Sequence, residues 1–330
     1  MTDVAWGPLL LGACVALAAP AAVRPLLLRA GAVDVPSARS SHAHPTLRGG
    51  GLASLLGMTV AGLGGVLMLP PDAPALLGVV LGSAAVMGLV GLAEDVRGLS
   101  VRTRFSLQLA VGGAVGAALA LLLGLDWGWV PAVALLFAAH VNVTNFMDGV
   151  NGISSLHGLA AGGSFALLGA ALGIGWLVMA GLTIAVAFVV FLPWNLIPPG
   201  LFLGDAGSYL LGAALAATSL TCLAWGVHPL AAVAPLLIYW SDAGVTLARR
   251  ALQDAPLLTA HRTHTYQRLA SAGWSHLAVG GLVAALTAAA GAVGLLGATG
   301  AWPTPLCALV LAVVCSAYLA LPRLIGRTPR

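Results

Sequence analysis

The sequence predicts an all-α, polytopic transmembrane helical bundle, and three observations carry that prediction. The 330-residue chain is 60% hydrophobic and 7% charged, with a mean hydropathy of +1.01; soluble domains carry about a quarter charged residues. Apolar stretches of about 20 residues, the length that crosses a hydrocarbon core, recur along the whole chain. All 14 basic residues are arginines, and they fall in alternate gaps between those stretches.

In lipid the backbone must satisfy its own hydrogen bonds, so each stretch reads as a helix. About 11 spans are expected, over residues 4–28, 50–70, 75–93, 104–124, 129–146, 154–172, 174–193, 206–224, 228–248, 275–297 and 302–322. The sixth and seventh are separated by a minimal turn at Gly173 and Gly175, and ten spans is the alternative count. The first stretch lacks a basic leader and carries Asp3, so it reads as a retained span rather than a removable signal. Arg24, Arg29, Arg39 and Arg48 follow the first span; Arg97, Arg102 and Arg104 follow the third. Arg249, Arg250, Arg262 and Arg268 follow the ninth, and Arg323, Arg327 and Arg330 the last. With 11 spans every arginine lies on one side, which the positive-inside rule makes cytoplasmic. The N-terminus is then expected outside and the C-terminus in the cytoplasm. The opposite loops are short and hold Trp127, Trp129 and Trp225, which suit a membrane interface. Residues 1–330 read as a single integral membrane domain. Its cytoplasmic loops 29–49, 94–104, 147–153, 194–205 and 249–274 would form the functional face.

The pI near 9.2 does not argue for nucleic-acid binding, because no basic run with interleaved aromatics exists. Cys14, Cys222, Cys307 and Cys315 are scattered without a CxxC pair and read as small core hydrophobes. Asp148, Asp205 and Asp242 stand at or near span ends, where burying an acid in lipid is costly. They are expected to need water, a cation or a ligand.

Five polar segments could carry chemistry. Arg39-Ser-Ser-His42 leads through His44 to Arg48-Gly49-Gly50-Gly51; arginine forks and exposed backbone N–H groups suit phosphate, and a flexible basic loop is the plainer reading. Glu94-Asp95, followed by Arg102, Arg104 and Gln108, sets two carboxylates side by side, suited to proton transfer or cation attraction, or closing a turn. Asn142 and Asn145 are one helical turn apart on a shared face, Asp148 would extend that stripe, and Asp148-Gly149 and Asn151-Gly152 form a turn. Asp205, flanked by Gly204 and Gly207, is either a helix N-cap or a hard oxygen ligand for Mg2+. His261-Arg262-x-His264 would put both histidines on one face if helical, for phosphate and nucleotide contact rather than zinc.

In this order, the five segments resemble the polyprenyl-phosphate N-acetylhexosamine-1-phosphate transferases, the bacterial glycosyltransferase family 4. The resemblance spans roughly residues 35–270. Leu47 stands where that family usually has proline, and Glu94 where it has aspartate. The His261-Arg-x-His264-x-Tyr-Gln-Arg268 form and the eleventh span resemble the O-antigen-initiating members more than the peptidoglycan translocase.

The resemblance implies transfer of a sugar-1-phosphate from a UDP-N-acetylhexosamine to undecaprenyl phosphate, with release of UMP, at a bacterial inner membrane. It implies Mg2+, with Mn2+ as an alternative, held by Asp205 and Asp148. Glu94, Asp95 and Asp148 would be catalytic, with Asp95 the base; a covalent route would use Asp148 as nucleophile. Arg39, His42, Arg48, Arg104, Asn142, Asn145, Asn151, His261, Arg262 and His264 would bind substrates. A homodimer is an expectation by analogy. The rival readings are a secondary transporter, which would place carboxylates near mid-bilayer, and a non-catalytic scaffold. The identity of the sugar stays open between N-acetylglucosamine and 6-deoxy relatives.

Overall fold

The computed structural model describes residues 6–34, 45–68, 74–198, 200–254 and 262–325. Arg39, His42 and His261 lie outside the described residues. The helices, in chain order, are α1 (Trp6–Arg29), α2 (Gly51–Met68), α3 (Pro74–Arg97), α4 (Val101–Leu123), α5 (Val130–Met147), α6 (Ile153–Leu172) and α7 (Gly175–Val189). There follow the short α8 (Leu192–Leu196), α9 (Gly204–Trp225), the short α10 (Pro229–Val233), α11 (Leu237–Leu252), the short α12 (Thr265–Ser271), α13 (His276–Ala298) and α14 (Thr304–Leu324). Two-residue strands, β1 (Val33–Asp34) and β2 (Thr46–Leu47), pair antiparallel.

Among the described residues, 11 helical segments are long and apolar enough to cross a membrane. Their limits follow the expected spans closely. The narrow sixth-to-seventh junction is a real reversal: Gly173 takes a left-handed φ of 70°, and its N–H bonds Gly169 O. A positive φ is cheap for glycine alone. The ninth span is interrupted between α10 and α11 by a 3-10 turn at Ala234–Leu236. Pro235 lacks the N–H and crowds the preceding turn, which explains the break.

Most of these helices show an apolar surface all round, as lipid-facing helices do. Their packing is decided by small residues that let backbones approach. The extreme case is α9, rich in Gly, Ala, Ser and Thr, of whose most apolar window 94% is buried. It packs against α3, α5, α2 and α4. By contrast α1 and α14 are peripheral, with 28% and 17% buried in the corresponding windows. The start of α9 is therefore held on several sides.

Candidate active site

The end of α3 and the start of α9 make the centre of the site. The expected loop 94–104 is shorter than its bounds: α3 continues to Arg97, so Glu94 and Asp95 occupy its last turn. The first N–H groups of a helix lack intrahelical acceptors. At α9 the preceding residue, Leu203, supplies no side-chain cap. Asp95 does so from the neighbouring helix: Asp205 N–H donates to Oδ1 at 3.1 Å and Ala206 N–H to Oδ2 at 2.9 Å. Asp95 is 2% exposed, and Arg48 Nε lies 3.7 Å from its Oδ1. Helix dipole, amide bonds and guanidinium each act against the cost of burying the carboxylate. Asp205 is therefore not the cap that its position suggested; it sits inside the first turn.

In the Gly49-Gly50-Gly51 run the last two amides serve packing rather than standing exposed. Gly50 N–H donates to Phe202 O at 2.9 Å, Gly51 N–H to Leu203 O at 2.8 Å, and Phe202 N–H to Leu47 O at 2.8 Å. The segments ending in Arg48 and beginning at Phe202 are thus stitched together. Gly51 is required by close approach, since a Cβ there would lie 2.1 Å from Gly207 N. The amides of Gly50 and Gly51, read from sequence as phosphate donors, are committed to Phe202 and Leu203.

Around this start the other polar residues close in. Asn145 Nδ2 donates to Asp205 Oδ1 at 2.6 Å and to Ser208 Oγ at 3.0 Å. Asn142, one turn earlier, donates to Gln108 Oε1 and to Ala138 O. Arg104, near the start of α4, donates to Glu94 Oε1 at 3.1 Å, and Leu99 N–H to Glu94 Oε2. The asparagine stripe ends at Asp148, which leaves the helix as its C-cap with φ −88° and ψ 56°. Burial pushes the Asp148 carboxyl up to about 7, and the charge of Asp205 acts in the same direction. The ends of α3 and α5 thus meet the starts of α4 and α9, which puts this cluster at one end of the bundle.

Asn151 uses its N–H on His276 Nδ1 at 3.3 Å, and Gly152 N–H bonds Asn195 Oδ1. Asn195, buried at 6%, also donates to Leu201 O; it orders the 192–201 segment and was missed from sequence, though a lone amide at a span end is a readable signal. His264 is not helical but the N-terminal cap residue of α12, which begins at Thr265. His264 is 3% exposed and faces Asp242. Arg262 is exposed on the approach to α12. Asp242 needs no outside partner, since Thr265 N–H, Tyr266 N–H and Tyr318 O–H all donate to it.

The capping geometry makes a direct prediction. Asp95→Asn replaces one acceptor oxygen with a donor facing an amide N–H, so the start of α9 loses a charge-assisted bond and gains a repulsion. A stability loss of about 1.5–3 kcal/mol is expected for such a bond. The thermal midpoint of the detergent-solubilised protein checks it; an unchanged midpoint contradicts the capping role.

Eleven apolar spans with carboxylates, amides and arginines drawn together at one end define a multi-pass integral membrane protein with a polar site on one face. Residues 77–223, which run from α3 through most of α9, match Glycosyl transferase family 4. The chain is 27% identical to the probable undecaprenyl-phosphate N-acetylglucosaminyl 1-phosphate transferase of Bacillus subtilis, over 77% of this chain and 74% of that one. It is 29% identical to the decaprenyl-phosphate N-acetylglucosaminephosphotransferase of Mycobacterium tuberculosis, over 77% of this chain and 72% of that one. Identity to the phospho-N-acetylmuramoyl-pentapeptide-transferase of Moorella thermoacetica is 30%, over 52% of this chain and 59% of that one. By these matches the chain is similar to glycosyl transferase family 4 and to polyprenyl-phosphate N-acetylhexosamine-phosphate transferases, which supports a membrane-bound transferase.

Proposed function

We propose that this protein transfers an N-acetylhexosamine-1-phosphate from a UDP-sugar to undecaprenyl phosphate, releasing UMP and initiating a cell-surface polysaccharide of the O-antigen kind. The observation that carries this reading is the convergence of Asp205, Asn145, Asp95, Arg48, Glu94 and Arg104 at one end of the bundle. The one-sided arginines favour the cytoplasmic face of the inner membrane, where a soluble nucleotide sugar meets a lipid phosphate. The two relatives matched over the longer share of the chain, in Bacillus and Mycobacterium, carry polyprenyl-phosphate N-acetylglucosamine transfer in their names.

The donor set suits a divalent cation. Mg2+ typically takes one or two protein carboxylates and completes its shell with water and substrate phosphates. Asn145, one turn before Asp148, donates to Asp205 Oδ1 at 2.6 Å, and Asp95 holds the Asp205 and Ala206 amides. Among the described residues no three His, Cys, Asp or Glu side chains form a cage, so a cation here would draw its remaining ligands from a diphosphate and water. Bound there, Mg2+ would neutralise the diphosphate and improve the leaving group.

The remaining work falls to the chain's own side chains. Arg48 and Arg104 hold the lipid phosphate in line, each already paired with an acid that fixes its direction. Asp95 accepts the phosphate proton: each of its oxygens takes one amide bond and retains a lone pair. Asn142, Asn145 and Asn151 order the segment that receives the nucleotide, and the exposed Arg262 is assigned to the sugar diphosphate. The reading is tested with purified protein and radiolabelled UMP. Exchange of label into UDP-sugar, dependent on undecaprenyl phosphate and Mg2+, is expected with one member of a UDP-N-acetylhexosamine panel. A folded sample with no exchange across that panel overturns it.

A further inference from the structure

A second buried carboxylate lies away from the cluster around Asp205. Asp242, in α11, is 0% exposed, a position that is costly for an acid without compensation. Its Oδ1 accepts from Thr265 N–H at 2.8 Å, and Thr246 Oγ1 and His264 Nδ1 each lie at 3.3 Å. Its Oδ2 accepts from Tyr318 O–H at 2.7 Å and Tyr266 N–H at 3.3 Å. Asp242 thus caps α12 in trans, as Asp95 caps α9, and ties it to the last span.

The connection continues beyond α12. Tyr266 O–H donates to Phe146 O at 2.9 Å, and Phe146 stands in the last turn of α5, whose carbonyls lack intrahelical donors. The Tyr266 ring also presses on Gly149: a Cβ on Gly149 would lie 2.1 Å from Tyr266 Oη. The path Tyr318–Asp242–Tyr266 therefore touches the chain on both sides of Asp148. Tyr266 and Tyr318 are fully buried, so each link is enclosed.

We propose that Asp242 is a positioning residue that acts through α12 and Tyr266 to fix the Phe146–Gly149 turn, and with it Asp148. The role in catalysis rests on the proposed function; the mechanical role does not. Asp148 leaves α5 just where the helix stops restraining it, so its direction depends on what clamps the turn. The clamp also explains why a peripheral span, α14, carries one fully buried tyrosine.

The test compares Asp242→Asn and Tyr266→Phe in the full chain. Tyr266→Phe keeps the ring and the α12 cap and removes the bond to Phe146, which guards against misfolding of the first variant. Amide hydrogen exchange across residues 147–152 is expected to quicken at least about fivefold in both, a change consistent with loss of one hydrogen bond. With transfer as the second readout, kcat is expected to fall about tenfold while KM for the lipid phosphate stays within about twofold. Wild-type exchange across 147–152 in Tyr266→Phe overturns the proposal, as does wild-type kcat beside quickened exchange. If the wild-type protein transfers no sugar phosphate, the functional reading fails, while the exchange measurement still decides the clamp.

Discussion

Asp205→Asn is expected to lower Mg2+-dependent sugar-phosphate transfer by about 10²–10³-fold while the protein stays folded, the scale of losing one preorganised charge contact. The substitution is nearly isosteric, and the start of α9 is held by Asp95 through the Asp205 and Ala206 amides rather than by the Asp205 side chain. Loss of an acid from the first turn of a helix costs about 0.3–1 kcal/mol, too little to unfold the bundle. Asn145 Nδ2, which meets Asp205 Oδ1 at 2.6 Å, would then pair with an amide oxygen. The measurement is UMP exchange titrated with Mg2+, together with the thermal midpoint. Normal Mg2+-dependent turnover in this variant would remove Asp205 from the proposed cation site.

Gly91→Ala is expected to prevent correct assembly of the α3–α9 contact, with loss of monodisperse protein in detergent and of all activity. A Cβ at Gly91 would lie 2.0 Å from Asp205 O and 2.7 Å from Ala206 N. Both are backbone atoms at the start of the most enclosed helix, so no side chain can swing aside. Overpacking of this kind costs typically about 1–3 kcal/mol, more where the backbone must move. Here the displaced backbone includes the Ala206 N–H that Asp95 caps, so stability and site geometry fail together. Gly78→Ala and Gly82→Ala, in the same helix, meet nothing within 4 Å. They are expected to be neutral or slightly stabilising, by up to about 1 kcal/mol. Size-exclusion profiles and thermal midpoints of the three variants separate a specific backbone contact from a general intolerance of α3 to alanine.

Much of the architecture was readable one residue at a time. A span is a local property, since about 20 apolar residues must become helix in lipid whatever their neighbours do. The limits of the eleven segments therefore followed from the chain alone, including the reversal at Gly173. The asparagine stripe was readable for the same reason: Asn142 and Asn145 share a face because the helix repeat puts them there. Its end near Asp148 was readable too, from the Asp148-Gly149 turn, but the contacts that hold that turn were not.

The division among the acids was beyond the sequence. Asp95, Asp205 and Asp242 look alike there, each an aspartate near the end of an apolar run. Tertiary structure gives them different work: Asp95 caps α9 from α3, Asp242 caps α12 from α11, and Asp205, relieved of capping, turns towards Asn145. The glycine run at 49–51 was equally ambiguous, and the proximity of Phe202, Leu203 and Gly207 decided it. His264, expected to face substrate, is drawn inward by Asp242. What the sequence determined by itself was which segments cross the membrane and where polar residues gather, because both depend on transfer from water to lipid, residue by residue. What only the tertiary structure decided was which buried acid holds a helix and which faces the site, because a carboxylate's role is set by the donors brought to it from other helices.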